Sequence, residues 1–193
     1  MKKQINIFLK GKKVILRPLE QSDAETLVVY ANDSINRQFL TRNFPLNVDS
    51  ERDWINKQYK NSKLSEDVVL GIVEIKTNKL VGTIGIHRID WISRTAFTGT
   101  LIGAQEFREK GLGTDAKMIL LDYCFNVLNL RKVCSAALAF NMRSINYSLK
   151  CGYRIEGRLK NQFYKNGKYC DEVFLAIFKK DFLKSWKEYS ARK

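Results

Sequence analysis

The stretch Arg108-Glu109-Lys110-Gly111-Leu112-Gly113-Thr114 joins an apolar run, Phe97 to Gly103, to the most regular amphipathic segment of the chain. In that segment Ala116, Ile119, Leu120, Tyr123, Cys124 and Val127 recur at helical spacing, so the junction reads as strand, glycine loop, helix start. Two glycines one residue apart permit positive φ and close backbone approach, and the first-turn N–H groups point outward beside the positive end of the helix dipole. Such a junction is an anion site. A Walker loop requires Gly-Lys-Ser/Thr after four intervening residues, and no such string occurs. Gly111, Gly113 and Ala116 formally satisfy the dinucleotide fingerprint, but the loop follows a late strand, and no Asp or Glu lies between Asp122 and Glu156 to meet a ribose. The third reading takes in Arg108, as R-x-x-G-x-G at the mouth of a helix.

At 193 residues, with 45% hydrophobic and 28% charged, the composition is that of one globular domain. We expect it to span 1–193, with a basic lead over 1–12 and a terminal helix over 180–193. There is no transmembrane run, and Met1-Lys2-Lys3-Gln4-Ile5-Asn6 precedes no secretory apolar core, so a cytoplasmic protein without membrane contact is expected. Cys124, Cys134, Cys151 and Cys170 have no C-x-x-C spacing and read as buried thiols. His87 is the only histidine, which argues against a zinc site or a histidine triad, and no metal is expected. Lys+Arg 34 against Asp+Glu 20 gives +14, enough to attract polyanions, although the basic residues are scattered.

Along the chain, Lys13 to Leu19 alternates Val14 and Leu16 with charge and stops at Pro18, a first strand at a sheet edge. Ser22 with Glu25 three residues later forms a capping box for a helix whose apolar face is Ala24, Leu27 and Val28. A second helix starts at Asp49 or Ser50 and runs through Trp54 to Tyr59, and the irregular Phe39 to Asn47 between them could cover a substrate cleft. Val68 to Ile75 and Leu80 to Ile89 read as a hairpin, followed by a turn near Trp91 to Arg94 and the strand before the glycine loop. Val133 to Ala139 is a buried strand. Asn141 caps a helix that turns Met142, Ile145 and Leu149 inward and ends at Gly152. Tyr153 to Gly157 and Glu172 to Phe178 close the sheet around a turn at Tyr164 to Lys168, and Asp181 to Tyr189 is a terminal helix.

The order β-α-α-β-β-β-α-β-α-β-β resembles the GCN5-related N-acetyltransferases. So do Leu16-Arg17-Pro18-Leu19, Val81-Gly82-Thr83-Ile84-Gly85-Ile86, the glycine loop, Asn141-Met142-Arg143-Ser144, and Lys150-Cys151-Gly152-Tyr153-Arg154-Ile155-Glu156-Gly157. These look like the branch holding ribosomal-protein alanine and serine N-acetyltransferases and spermidine N-acetyltransferase. The resemblance implies an α/β (α+β) single-domain fold, with a mixed central sheet of about seven strands flanked by helices and a splayed strand pair holding acetyl-CoA. Arg108, Glu109, Lys110, Gly111, Leu112, Gly113 and Thr114 would hold its pyrophosphate. Leu101 and Ile102 would offer main-chain groups to its amide arm, and Asn141 and Ser144 would stand beside it.

Acetyl transfer from a thioester to an amine requires a neutral amine, a donor for the developing oxyanion and a proton for the leaving thiolate. Many family members carry a Tyr four residues before the glycine matching Gly152. That position is Ser148 here, with Tyr147 beside it, so Ser148 is the first candidate acid and Tyr147 the second. The spermidine pattern puts a basic Glu where this chain has Thr98, which leaves Glu74, His87 or Asp90 acting through water. The expected partners are acetyl-CoA and a primary amine, foremost a protein N-terminus with ribosome association, in a chain that could form a homodimer. Spermidine and a nucleotide-linked amino sugar are the alternative acceptors. A non-enzymatic RNA-binding domain is the rival class, resting on Phe163, Tyr164 and Tyr169 among Lys160, Lys165 and Lys168.

Overall fold

The computed structural model describes residues 6–60 and 67–191, leaving aside the side chains of 59 and 60. Among these residues eight strands form one sheet in the order β1-β2-β3-β4-β5-β6-β8-β7. They are β1 (Leu9–Lys10), β2 (Val14–Pro18), β3 (Val68–Glu74), β4 (Leu80–Asp90), β5 (Thr95–Ile102), β6 (Lys132–Leu138), β7 (Arg154–Lys165) and β8 (Lys168–Phe178). Every pair is antiparallel except β5 with β6. The helices are α1 (Ala24–Asn32), α2 (Ser34–Arg37), α3 (Val48–Lys60), α4 (Leu112–Asp122), α5 (Met142–Lys150) and α6 (Lys179–Ala191).

Strand alternation divides the core. Leu70 and Ile72 of β3 enter the larger cluster, with Ala116, Leu120 and Cys124 of the α4 segment and Phe182 of α6. Val69 enters the smaller one, with Ala24, Leu27 and Ile55 of α1 and α3. The helices therefore cover both faces. Asp115, in the first turn of α4, accepts the backbone N–H groups of Lys12, Lys13 and Val14 at 3.2, 2.8 and 3.0 Å and the Tyr189 hydroxyl at 2.7 Å. One carboxylate so fastens the start of α4 to the N-terminal strands and to α6.

Four expectations are corrected. Leu9 and Lys10 of the basic lead pair with Leu16 and Ile15 as a further strand; β2 is therefore not an edge, and two residues are too few to show alternation. Helix α1 opens through Glu20 and Asp23 instead of Ser22 and Glu25. Asp23 receives the Arg17 guanidinium at 2.7 and 2.8 Å and the Glu20 N–H at 2.7 Å, while Ser22 stays exposed. Helix α3 begins at Val48, with the Asn47 side chain accepting from the Ser50 N–H at 2.8 Å, and the short α2 precedes it. The last two strands run together as one long hairpin through Asn166 and Gly167, both at positive φ.

Candidate functional site

The parallel ladder between β5 and β6 lasts three pairs, ending at Phe97 with Cys134. There the Thr98 hydroxyl donates to the Cys134 carbonyl and the Ser135 hydroxyl to the Thr98 carbonyl, each at 3.2 Å. Beyond this clasp β5 follows β4 and β6 follows β8, so the strands part. A cavity of about 890 Å³ opens between Gly99 to Ile102 on one wall and Ser135 to Ala137 on the other. Leu101 and Ile102 thus stand where the sequence reading places them, on a strand edge that pairs with no strand on its β6 side.

The glycine loop closes one end. Gly111 caps α4 at φ +80, a left-handed backbone that suits glycine, and makes no side-chain cap. The two glycines divide the work: Gly113 has no positive φ, and a β-carbon there would lie 3.7 Å from Ile102 and from the Tyr147 ring, in the space of the cavity. Arg108 donates from Nε to the Ile102 carbonyl at 3.3 Å and from its other end to Asn36. Buried Asn36 in turn donates to the carbonyls of Tyr30 and Gly103, both at 2.9 Å, linking the loop to α1 and α2. Glu109, Leu112 and Thr114 also border the cavity. Lys110 is turned away, its carbonyl accepting from Lys13 Nζ at 2.8 Å and its ammonium lying over the Phe107 ring.

Helix α5 forms the opposite wall, and it is rotated from its expected setting. Ile145 and Ser148 are buried, whereas Met142 and Leu149 are exposed, so the face toward the cavity is Asn141, Ser144 and Tyr147 at intervals of three. Asn141 accepts the Ser144 N–H at 3.2 Å, so it caps the helix and borders the cavity at once. The Tyr147 hydroxyl lies 2.8 Å from the Thr100 hydroxyl, and burial pushes its pKa well above that of a free phenol. Ser148 is 1% exposed and lies inward of the cavity wall.

The floor holds a residue that sequence reasoning missed. Lys117, 1% exposed, donates from Nζ to Thr98 Oγ1 at 2.7 Å and lies 5.3 and 5.4 Å from the ring centres of Tyr147 and Tyr153. Burial depresses its pKa to about 8. The available signal was a lysine in the otherwise apolar run Ala116 to Leu121. Nearby, burial raises the thiols of Cys124 and Cys151 to about 12. Cys134 and Cys170 are only half-buried, not core thiols as expected.

Of the three candidate bases only His87 borders the cavity. Glu74 bonds Thr77 at the β3–β4 turn, and Asp90 accepts the N–H groups of Ile92 and Ser93 at the next. Among the described residues Arg108, Lys117, Arg143 and Lys150 line the cavity against the single carboxylate of Glu109. Cations, a helix N-terminus and an unpaired strand edge suit a ligand with an anionic end and an amide arm, the two parts of acetyl-CoA. Among the described residues no cluster of His, Cys, Asp and Glu is placed to hold a metal ion, and no helix is long and apolar enough to cross a membrane.

The profile of the acetyltransferase (GNAT) domain matches residues 13–154. The putative ribosomal N-acetyltransferase YdaF of Bacillus subtilis is 27% identical over 176 residues, 89% of this chain and 94% of that protein. Spermidine N(1)-acetyltransferase of Escherichia coli is 28% identical over 171 residues, 88% of each chain. The crystal structure of spermidine N-acetyltransferase from Vibrio cholerae in complex with CoA and spermine superposes with a TM-score of 0.81 at 24% identity, covering 90% of this chain and 99% of that one.

Proposed function

The chain belongs to the acetyltransferase (GNAT) family and is an acetyl-CoA-dependent N-acetyltransferase, and from that premise we propose that its acceptor is the free α-amine of a protein N-terminus. Acetyl-CoA supplies an acyl group activated as a thioester. The first-turn N–H groups of α4 with Arg108, Arg143 and Lys150 would hold its phosphates, and the free edge of Gly99 to Ile102 its amide arm. Asn141 and Ser144 would position the donor from the α5 side. The Tyr147 hydroxyl, ordered by Thr100, holds the proton required by the departing sulfur, a role that its place on the cavity favours over buried Ser148.

The acceptor reading rests on one observation: among the described residues, the rest of the cavity wall offers no acidic pocket. Phe39, Leu40, Trp54, Val69 and Thr83 line it, and among the described residues Glu109 is its sole carboxylate. Glu156, in the segment that resembles the spermidine branch, is paired with Lys132 at 2.6 Å. A polycation finds little to balance its charge there, whereas a single amine on a peptide needs only one deprotonation and an apolar wall. The net charge of +14 supports an acceptor among nucleic-acid-bound proteins, with ribosome association in the cytoplasm, and a homodimer completes the proposal. The likeness to a putative ribosomal acetyltransferase points the same way, while the likeness to spermidine acetyltransferase keeps polyamines as the second reading.

Thiol release from acetyl-CoA, measured with peptides beginning in Ala or Ser, with spermidine and with a nucleotide-linked amino sugar, tests the acceptor. A peptide should exceed the others at least tenfold in kcat/KM. Spermidine in first place would overturn the proposal.

A further inference from the structure

We propose that His87 is the general base of this transfer, its Nε2 taking a proton from the acceptor ammonium while Asp67 holds Nδ1; the inference rests on the N-acetyltransferase reading above. Gly85 and Gly99 are cross-strand partners on β4 and β5, and the imidazole lies over both. A β-carbon added to Gly85 would sit 2.5 Å from Nε2 and one added to Gly99 3.6 Å from it. The ring therefore fills a space that two side chains would otherwise take, and its Nε2 stands above the strand whose free edge lines the cavity. Nδ1 faces Asp67 Oδ1 at 3.6 Å, and the same carboxylate oxygen accepts the Arg88 N–H at 2.8 Å.

The backbone is shaped for this placement. The β4–β5 register slips between His87 and Asp90, and Arg88 takes a left-handed φ of +51. A bulge with a non-glycine residue in that region is a means of re-aiming the neighbouring side chain, retained where the surroundings enforce it. Here they are Asp67 on the Arg88 N–H and the Phe97 ring 4.2 Å from the Arg88 guanidinium. Burial lowers the imidazole pKa most; the Asp67 carboxylate raises it, and the cations of Arg88 and Lys117 lower it again, for a net downward shift. The ring is thus neutral at pH 7, with Nδ1–H toward the carboxylate and a lone pair on Nε2 toward the cavity.

The protons balance. Nε2 takes one proton from the ammonium, which frees the nitrogen lone pair to form the C–N bond as the C–S bond breaks. The Tyr147 hydroxyl gives its proton to sulfur and regains one from the new amide nitrogen, and the imidazolium returns its proton to water. An ammonium and a thioester become an amide, a thiol and one released proton.

Because His87 is the only histidine, nitrogen-15 resonances of its ring are unambiguous in the whole protein. They should report the Nδ1–H tautomer at pH 7 and a titration midpoint below the ordinary value of about 6.5. The acid limb of kcat/KM should follow the same midpoint, activity falling as the ring charges. Asp67→Asn should lower that midpoint further, and His87→Gln should reduce kcat by about 10² to 10⁴ and erase the acid limb, with acetyl-CoA affinity unchanged. An Nε2–H tautomer, a midpoint above 7, or a His87→Gln variant with the wild-type acid limb would overturn the assignment while leaving the transferase reading intact. Wild-type protein that binds acetyl-CoA but acetylates neither an Ala-initiated peptide nor spermidine nor an amino sugar refutes the transferase reading, and this role with it.

Discussion

Lys117 Nζ lies 2.7 Å from Thr98 Oγ1 at the point where β5 and β6 part, and its other neighbours are two tyrosine rings and two thiols. The ammonium is desolvated, so its folded pKa of about 8 is below the 10.5 of an exposed lysine. Between those values the unfolded chain binds more protons, so stability rises with pH across that window. Below pH 8 the whole difference opposes folding, about 3 kcal/mol at 1.36 kcal/mol per pKa unit. Lys117→Met should therefore stabilise the protein at pH 7, by about 2 kcal/mol once the lost Thr98 hydrogen bond is allowed for. Urea unfolding should find the gain smaller by about 1 kcal/mol at pH 9. A gain that does not change with pH would show that Lys117 carries the same charge folded and unfolded, and that its pKa is not depressed.

Tyr147→Phe removes the hydroxyl that faces the cavity and keeps the ring. It should lower kcat by about 10² to 10⁴ with little change in acetyl-CoA affinity, measured by steady-state rates beside calorimetry. Ser148→Ala removes a buried hydroxyl inward of the cavity, so turnover should stay within about twofold and stability within about 1 kcal/mol. The opposite pattern would return the acid role to Ser148.

The two loop glycines should fail differently. Gly111→Glu forces a side chain into a left-handed backbone with Lys13 Nζ 3.1 Å from its β-carbon, so it should cost about 1 to 2 kcal/mol and abolish acetyl-CoA binding. The β-carbon of Gly113→Ala meets only ordinary contacts, so this variant should leave unfolding nearly unchanged, yet raise the acetyl-CoA Kd tenfold or more by occupying the cavity. Equal losses of stability in the two variants would contradict this division.

Asp115→Ala strips the acceptor from three backbone N–H groups and a tyrosine hydroxyl. We expect a loss of about 3 to 4 kcal/mol in chemical unfolding, with faster amide exchange at Lys12 to Val14 before any change in β6. A loss under 1 kcal/mol would show that water replaces the carboxylate readily.

Single Cys→Ala variants should keep most of their turnover. Thiols raised to about 12 hold almost no thiolate at neutral pH, which argues against an acetyl-cysteine intermediate through Cys124 or Cys151. Mass spectrometry of protein quenched with acetyl-CoA should find no acetylated thiol.

Most of the fold is legible in local patterns: the apolar runs of β3 and β4, the helical period of α4, the Asn141 cap and the turn at Asn166-Gly167 each carry their own signal. What eluded the sequence depends on partners far along the chain. The capping box before α1 is made by Glu20 and Asp23, with Arg17 bonded to Asp23, and β1 exists because Gly11 turns two residues back onto β2. Helical spacing predicts an inward face of Met142, Ile145 and Leu149 for α5, yet of these only Ile145 is buried, and Ser148 and Cys151 take the other buried positions. That rotation brings Tyr147 to the cavity. Lys117 gives no periodic signal, because a buried charge is made by what surrounds it, and the bulge that aims His87, itself a candidate from the sequence, gives none for the same reason.

The parting of β5 from β6 means that the sheet is really two sheets, β1 to β5 and β6 to β8, hinged on three residue pairs and a clasp of two hydroxyls. A molecule lying in the gap bonds both halves at once and acts as the missing rungs of the ladder, so occupancy should convert a weakly coupled pair of units into one cooperative unit. Melting of this protein would then depend on ligand concentration, broad and early without it and sharp and late with it. The first amides to gain protection should be those of Gly99 to Ile102, in the middle of the sheet, where an ordinary fold is slowest to exchange.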